Sequence, residues 1–324
     1  MKKFFDKEPI WFAVVWIVVY VLAFGNADSL SLDLLGIPML LTVPVGLILS
    51  LVLYGFIRKN RLQNHVGLCR ISRYTEGTLF FLPLVLISSV NFWGGVQFSA
   101  PPLHILLHIV SMCFVAFLEE LIFRGLLFQG IRRSGLTAAI LVSSLTFGAG
   151  HIVNLAFGAP LFDTLLQLVY AAAIGFCYTA VFYTTESILP CILSHAFVNA
   201  TTVFAAEAGG GLLLFSTVVQ TVLGISYGIW LFYCQNRRIR RAVSRIREME
   251  VLFDRLCDEM LHPHKKLPAS LAGELSRLTD YYTNGQWQHD YTLDENGLLP
   301  KDVKRGVLSE DGVYNLLEHF SRQN

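Results

Sequence analysis

Residues 103–130, LHILLHIVSMCFVAFLEELIFRGLLFQG, form an apolar run long enough to cross a lipid bilayer. A membrane-spanning helix needs about 20 mainly apolar residues. Within the run, FLEELIFRG (117–125) places two carboxylates and a guanidinium at membrane depth, on Glu119, Glu120 and Arg124. Ionisable side chains there are costly and usually have a function. The segment therefore predicts both a transmembrane helix and a polar site inside it.

The composition of the whole chain also indicates a membrane protein. The 324 residues are 54% hydrophobic and 15% charged, with a mean hydropathy of +0.53. Soluble domains usually contain about 25% charged residues. Seven further apolar segments lie at about 9–25, 34–57, 76–93, 136–156, 162–184, 187–206 and 211–234. We therefore predict an all-α, polytopic membrane protein with about eight transmembrane helices within residues 1–235.

Lysine and arginine are confined to four parts of the chain, within 2–7, 58–73 and 124–133 and after 236. In an eight-helix arrangement the basic loops and both termini share one side, and the opposite loops contain no basic residue. Basic loops favour the cytoplasm, so we predict a multi-pass protein of the cell membrane with both termini cytoplasmic. The N-terminus resembles a signal peptide, but its long apolar run and weak cleavage pattern favour an uncleaved first helix.

The composition changes after the last apolar segment. Residues 236–262 repeat apolar side chains at three- and four-residue steps, which predicts an amphipathic connecting helix. Its arginine cluster is interpreted as a cytosolic anchor, with a lipid-headgroup site as the alternative. Residues 263–324 predict a small, mainly helical soluble domain with an aromatic core around Trp287, and SEDG (309–312) predicts a helix N-cap.

Two carboxylates on the fourth predicted helix have different expected roles. Glu120 and Arg124 are four residues apart, so they lie on one helix face and form an ion pair. Glu119 is rotated from Glu120 by about 100° and has no cation of its own. A carboxyl group in that situation is suited to act as a general base or acid.

Polar side chains on two further helices are expected near Glu119. His151 lies on the fifth helix, and His195 and Asn199 share a face of the seventh. At about 1.5 Å per residue, all of them fall in one slab of the membrane below the cytoplasmic surface. Such a set could hydrolyse an amide: Glu119 and His151 would hold and deprotonate water, and the other two would stabilise the oxyanion.

A zinc site is the chemical alternative at this position. Two histidines and a glutamate are a common catalytic zinc set, but the H-E-x-x-H spacing of zinc peptidases is absent. The six cysteines are scattered without a C-x-x-C pair, so neither a thiolate zinc site nor a disulfide framework is indicated. We expect no metal and no cofactor.

Three short motifs carry a family resemblance: EELIFR (119–124), FGAGH (147–151) and HAFVN (195–199). They match E-E-x-x-x-R, F-x-x-x-H and H-x-x-x-N, in order, of the CAAX-protease and bacteriocin-processing family of intramembrane glutamic endopeptidases, which are similar to the Rce1-type prenyl-protein endopeptidase. The resemblance covers about residues 75–235. It implies an eight-helix protease opening to the cytosol, with Glu119 and His151 activating water.

The same resemblance assigns the remaining roles. It implies that His195 and Asn199 form the oxyanion site and that Glu120, Arg124 and Phe147 support it. Bacterial members often process bacteriocin-type peptides or serve in self-immunity. The expected partners are a peptide or protein substrate at the membrane and the lipid bilayer, with no nucleic acid.

Residues 280–320 resemble a small uncharacterised domain of Gram-positive bacteria, which suggests recognition of a cytosolic regulator. Two functions from other classes remain open. One is a non-proteolytic interaction or immunity protein that regulates a partner membrane protein. The other is a transporter with a buried proton relay, which is less favoured because matching halves with broken helices are absent.

Overall fold

A computed structural model describes residues 1–71, 78–206, 209–261 and 269–322 and is helical without a strand in those ranges. Glu207, a polar residue of the predicted membrane region, lies outside them. The α-helices are α1 (Lys2–Lys7), α2 (Pro9–Leu35), α3 (Thr42–Lys59), α4 (Leu82–Ser88), α5 (Pro102–Glu120), α6 (Gln129–Arg132), α7 (Leu136–Gly150), α8 (Leu161–Thr185), α9 (Leu189–Thr201), α10 (Gly210–Met260), α11 (Ala269–Thr283), α12 (Gln286–Glu295) and α13 (Glu310–Ser321). The all-α prediction is confirmed.

Six helical runs in the described ranges are long and apolar enough to cross a membrane: Pro9–Leu35, Thr42–Lys59, Pro102–Arg132, Leu136–Phe157, Leu161–Thr185 and Gly210–Met260. The protein is therefore a multi-pass membrane protein. A seventh apolar helix, Leu189–Phe204, is shorter. The span expected at 76–93 is not one long helix, since its described part is divided into Thr78–Phe81, Leu82–Ser88 and Val90–Phe92.

The chain forms two compact units, Met1–Phe232 and Tyr233–Asn324. In the first unit α5 packs against α3 and α9, and α7 packs along α8. Gly148 makes the second approach possible, because a Cβ atom there would lie 2.7 Å from the Cβ of Ala172. Small residues at a helix interface allow two helix backbones to approach this closely.

The helix that carries the central motif changes its winding directly after the two glutamates. α5 ends at Glu120, residues Leu121–Phe128 form a π-helix, and α6 completes the run to Arg132. A π-helical segment is rare in proteins and is frequent at functional sites. All eight residues of this segment are buried, so the chain that directly follows the two glutamates is packed inside the protein.

The second unit is built around the C-terminal part of α10. Ile246, Met249 and Leu256 of that helix are buried together with Trp287 and Phe320 from the elements that follow. The segment interpreted as a connecting helix is thus part of a continuous helix with the last span and supplies one wall of this core.

Two local predictions for the second unit are confirmed. Trp287 is buried, stacks on Tyr291 with ring centroids 5.0 Å apart, and donates its indole N–H to the carbonyl oxygen of Val307 at 2.8 Å. The hydroxyl of Ser309 accepts the backbone N–H of Gly312 at 3.2 Å and caps α13. Both contacts satisfy polar groups that folding would otherwise leave without partners.

Asp290 is the centre of a buried polar cluster in the same unit. Its carboxylate accepts hydrogen bonds from two nitrogens of Arg245, Nη2 and Nε, the latter at 2.8 Å. It also accepts hydrogen bonds from the Tyr281 hydroxyl at 3.1 Å and from His289 Nδ1 at 2.9 Å. The hydrogen bond to Asp290 raises the pKa of Arg245, and burial followed by the nearby Asp290 charge raises the pKa of Tyr281. Both carboxylate oxygens are therefore satisfied.

Candidate active site

The structure contains the expected ion pair between Glu120 and Arg124, and both side chains are 0% exposed. Arg124 Nη1 donates to Glu120 Oε1 at 3.0 Å, and Nη2 donates to the carbonyl oxygen of Gly175 at 3.2 Å. The guanidinium also lies over the ring of Phe147, 4.2 Å from its centroid, and 5.5 Å from that of Tyr178. Cation–π contacts of this kind stabilise a desolvated arginine.

His195 lies between the two glutamates. Its Nδ1 is 2.8 Å from Glu120 Oε1, the oxygen that also accepts from Arg124. Its Nε2 is 3.6 Å from Glu119 Oε2. The seventh predicted helix, now α9, therefore brings one imidazole to both carboxylates of α5. The sequence indicated this proximity only through the shared depth of the residues.

Glu119 has one satisfied and one unsatisfied oxygen. The hydroxyl of Tyr20, on α2, donates to Glu119 Oε1 at 2.7 Å. Glu119 Oε2 is buried and has no hydrogen-bond partner in the described chain. Buried carboxylate oxygens are normally hydrogen-bonded, so this atom is free to bind a water molecule or a substrate group.

His151 stands at the end of α7, where the chain changes to the 3₁₀-helix His151–Phe157. Its Nδ1 lies 3.2 Å from the carbonyl oxygen of Phe147. A carbonyl oxygen can only accept, so Nδ1 carries the proton and Nε2 of a neutral ring is an acceptor. The Phe147 ring meets the His151 and His195 rings edge-on, at centroid distances of 5.6 and 5.7 Å. Phe147 thus spaces the two imidazoles.

Two cavities meet at these residues. One of 440 Å³ is lined by Tyr20, Glu119, His151 and Asn199, among others. The other, of 290 Å³, is lined by His195 together with His151 and Asn199. His151, Asn199 and Phe147 border both cavities. The four residues predicted to be catalytic therefore line two adjacent cavities, of which His151 and Asn199 border both.

Asn199 is held in place through its backbone. His108 Nε2 lies 3.0 Å from the Asn199 carbonyl oxygen and 2.9 Å from the Thr202 hydroxyl, and that hydroxyl donates to the same carbonyl at 2.7 Å. His108 lies on α5, and its contacts with α9 suit it to position Asn199. Glu186, by contrast, ends α8 in a left-handed conformation and does not line either cavity.

Sequence reasoning missed Tyr20 and a hydroxyl chain behind His195. Tyr20 belongs to no motif, and an aromatic residue in a first span is ordinarily a packing residue. The hydroxyl of Ser194 lies 2.8 Å from that of Ser88 and 2.9 Å from that of Tyr178, which joins α4, α8 and α9. Only the tertiary fold brings these groups together.

Across the parts of the chain that the structure describes, no group of three or more His, Cys, Asp or Glu side chains is arranged to hold a metal ion. Near Glu119, the Tyr20 hydroxyl donates to Glu119 Oε1, and His195 Nδ1 lies 2.8 Å from Glu120 Oε1.

One family model matches the segment that contains these residues. Residues 101–201 match the family model described as Type II CAAX prenyl endopeptidase Rce1-like. These residues form an Rce1-like domain. It contains all seven predicted site residues, from Glu119 to Asn199, whereas Tyr20 lies outside it. The resemblance inferred from the three motifs is confirmed, over a shorter range than the predicted 75–235.

A second match follows the Rce1-like domain. Residues 246–323 match the domain of unknown function DUF4298, which confirms the resemblance of the tail to an uncharacterised small domain. The match begins inside α10, in agreement with the core that this helix builds with the later elements. Searches of curated proteins and of solved structures found no match.

Proposed function

We propose that the protein is an intramembrane, metal-independent glutamic endopeptidase that hydrolyses a peptide bond in a membrane-associated peptide or protein. The observation that carries this proposal is the state of Glu119. One oxygen is fixed by Tyr20, and the other is buried without a partner beside a cavity that also contains His151. A fixed carboxylate with a free oxygen is what a general base requires.

In the proposed reaction Glu119 and His151 bind the attacking water. Glu119 Oε2 takes one proton from it, while Nε2 of His151 accepts a hydrogen bond from the other. An electron pair of the hydroxide forms a bond to the carbonyl carbon of the scissile bond, and the π-electron pair of the C=O bond moves to the carbonyl oxygen. When the tetrahedral intermediate collapses, the C–N bond breaks and Glu119 returns its proton to the leaving amine. The carboxylate is thereby regenerated.

The oxyanion is stabilised by His195 and the Asn199 side-chain amide. His195 Nδ1 lies 2.8 Å from Glu120 Oε1, a carboxylate oxygen that can only accept, so Nδ1 donates to Glu120. The proposed mechanism uses the imidazolium form of the ring, in which Nε2 is a donor as well. Its charge and that of Arg124 then balance the charges of Glu119 and Glu120. Neutrality of the cluster favours burial, and Nε2 can donate to developing negative charge at the substrate.

Glu120, Arg124 and Phe147 have supporting roles in this mechanism. Glu120 orients His195 through the 2.8 Å contact to Nδ1. Arg124 fixes the Glu120 carboxylate and is itself held against the Phe147 ring. Removing any of these three is expected to displace the imidazole rather than to remove a reacting group.

The physiological setting belongs to the same proposal. The protein resides in the cell membrane with both termini cytoplasmic, and it matures bacteriocin-type peptides or provides self-immunity against them. The DUF4298 domain is then a cytosolic site for a regulator. A basic N-terminal end, a basic 58–73 loop and a basic segment after 236 support this orientation.

Proteolysis is tested in cells that produce either the wild-type protein or the Glu119→Gln variant at equal levels. Mass spectrometry of newly formed peptide termini is expected to show products that depend on Glu119. Equal sets of termini in the two strains, together with an unchanged immunity phenotype, would favour the non-proteolytic interaction protein instead.

A further inference from the structure

The ends of the membrane helices that carry lysine and arginine lie together in the first unit. The ring of Phe5, next to Lys2 and Lys7, is 5.8 Å from that of Phe56 at the end of α3. A Cβ atom on Gly130 of α6 would be 3.5 Å from Ile10 at the start of α2. Arg132 lies over the ring of Tyr183 near the end of α8. We call this end of the unit the basic face.

The basic face is closed beneath the catalytic residues. The π-helix Leu121–Phe128 is buried along its whole length, and the chain after α3 covers it. In that covering segment the carbonyl of His65 accepts Gln129 Nε2 at 2.8 Å, and the carbonyl of Gly67 accepts the backbone N–H of Ile188 at 2.9 Å. Val66 between them is buried.

Both catalytic cavities extend toward the opposite end. The 440 Å³ cavity continues from Glu119 to Asp28, Met39 and Phe157. Asp28 lies in the second half of α2, Met39 lies between α2 and α3, and Phe157 follows α7. These segments are adjacent, because a Cβ atom on Gly25 would lie 2.7 Å from the Phe157 ring. None of the three carries or adjoins a lysine or arginine.

The 290 Å³ cavity runs in the same direction. It continues from His195 to Trp93, Ala205 and Leu212. These residues belong to the segments joined by the bridge between Val96 and Ala205, the link between the chain before α5 and the chain after α9. In the described residues, neither cavity is lined by a lysine or an arginine.

Two expectations from the sequence therefore conflict. The active site was expected to open to the cytosol, and the basic loops were expected to be cytoplasmic. In this structure the residues that line the cavities extend from the site toward the end opposite the basic face, so a cytosolic opening and cytoplasmic basic loops exclude each other. The distribution of basic residues is the better guide to orientation, because it reflects insertion of this chain into its own membrane, whereas the cytosolic opening was implied only by the family resemblance.

We propose that the catalytic cavities open to the extracytoplasmic side of the membrane and that the substrate is a polypeptide exposed there. Two sources would present such a polypeptide at this side of the membrane: an exported peptide and the outer juxtamembrane segment of a membrane protein. That the polypeptide is a substrate rests on the proposed endopeptidase function. The direction of the opening rests on the geometry and the charge distribution alone.

Cysteine accessibility in intact cells tests the direction. Phe157→Cys and Ala205→Cys place a thiol at the outer end of each cavity, Val153→Cys places one deeper in the larger cavity, and Lys59→Cys is the matched control on the basic face. A small, charged, membrane-impermeant thiol reagent is applied before and after lysis, with the wild-type chain correcting for native cysteines.

The expected ratio of labelling before lysis to labelling after lysis is near one for the cavity positions and near zero for Lys59→Cys. The reverse pattern would overturn the proposal, and so would cavity thiols that remain unlabelled even after lysis. Immunoblots of the membrane fraction confirm that each variant accumulates, and Ala205→Cys adds a single sulfur atom at a partly exposed position, so the fold is expected to accept it.

The labelling separates this proposal from the proposed hydrolysis. Each cysteine variant is also labelled in a Glu119→Gln background, where the expected ratios are the same because access does not depend on catalysis. Outside labelling without any Glu119-dependent cleavage would therefore reject the endopeptidase and leave the orientation standing. Glu119-dependent cleavage, together with cavity thiols that are labelled only after lysis, would support the endopeptidase and reject the extracytoplasmic opening.

Discussion

Each unit of the protein buries a cluster of charged side chains, and the two clusters differ in how completely they are satisfied. Around Asp290, both carboxylate oxygens accept hydrogen bonds from Arg245, Tyr281 or His289. Around Glu119, three buried polar atoms have no hydrogen-bond partner: Glu119 Oε2, Glu120 Oε2 and Arg124 Nε. The cluster around Glu119 adjoins two cavities.

This difference separates a structural cluster from a reactive one. A buried charge whose partners are complete contributes to a unique fold, and removing one partner leaves the others desolvated. A buried charge with a free atom beside open space keeps a site for a water or a substrate group. Burial of charge alone would not have distinguished the two.

The largest effect on stability is expected from Asp290→Asn. The substitution leaves Arg245 with a weaker partner in a buried place, a change that costs about 3–5 kcal/mol in comparable buried pairs. Thermal unfolding of the full-length protein, followed by tryptophan fluorescence, is expected to show early loss of the second unit. Surface pair variants such as Arg247→Gln provide the control, since Arg247 and Asp302 are largely exposed. An unchanged transition would show that the Asp290 cluster is not structural.

Tyr20→Phe is expected to affect catalysis rather than stability. It removes the 2.7 Å hydrogen bond that fixes Glu119, and hydrogen bonds to charged groups contribute about 1.5–3 kcal/mol. We expect kcat to fall roughly 10- to 100-fold and KM to change little. Tyr170→Phe is the matched control. A variant that loses only stability would reduce Tyr20 to a packing residue.

Ser309→Ala tests the smaller contribution of a helix cap in the second unit. Loss of the hydroxyl that accepts the Gly312 N–H is expected to lower the free energy of unfolding by about 1 kcal/mol. Ser309→Asp retains an acceptor and should restore most of that loss. If both variants unfold alike, the cap does not contribute to stability.

A strong chelator is expected to have no effect on cleavage. In the proposed mechanism Glu119 activates the water and His195 stabilises the oxyanion. These are the two tasks that the metal ion performs in a zinc peptidase. Peptide hydrolysis is measured after incubation with EDTA or phenanthroline. Activity that disappears and is restored by added Zn²⁺ would support the zinc alternative.

Local sequence patterns predicted much of the site. Glu120 and Arg124 were paired correctly because their spacing of four residues fixes their geometry on any helix. The motif residues His151, His195 and Asn199 were placed at one depth by counting along their helices, and the structure brings them to shared cavities. Their catalytic roles stay predictions.

Contacts between distant parts of the chain could not be predicted in this way. Tyr20 reaches Glu119 across 99 positions of sequence, and no periodicity reports such a contact. The 76–93 segment is apolar enough for a span, yet Pro83 near the start of α4 and the polar residues after Ile87 divide it into short helices. The direction of the cavities depends on how the helices pack, so the sequence alone could not show that their lining residues extend away from the helix ends that carry lysine and arginine.

The central claim is that Glu119 is the catalytic base, and the rate of hydrolysis by purified Glu119→Gln protein tests it most directly. The substrate is a peptide that contains a cleavage site identified from newly formed termini in cells. We predict a rate about 10²–10⁴-fold below that of the wild type with an unchanged unfolding temperature, because glutamine preserves the contact with Tyr20. A folded Glu119→Gln protein that cleaves this peptide at the wild-type rate would contradict the account.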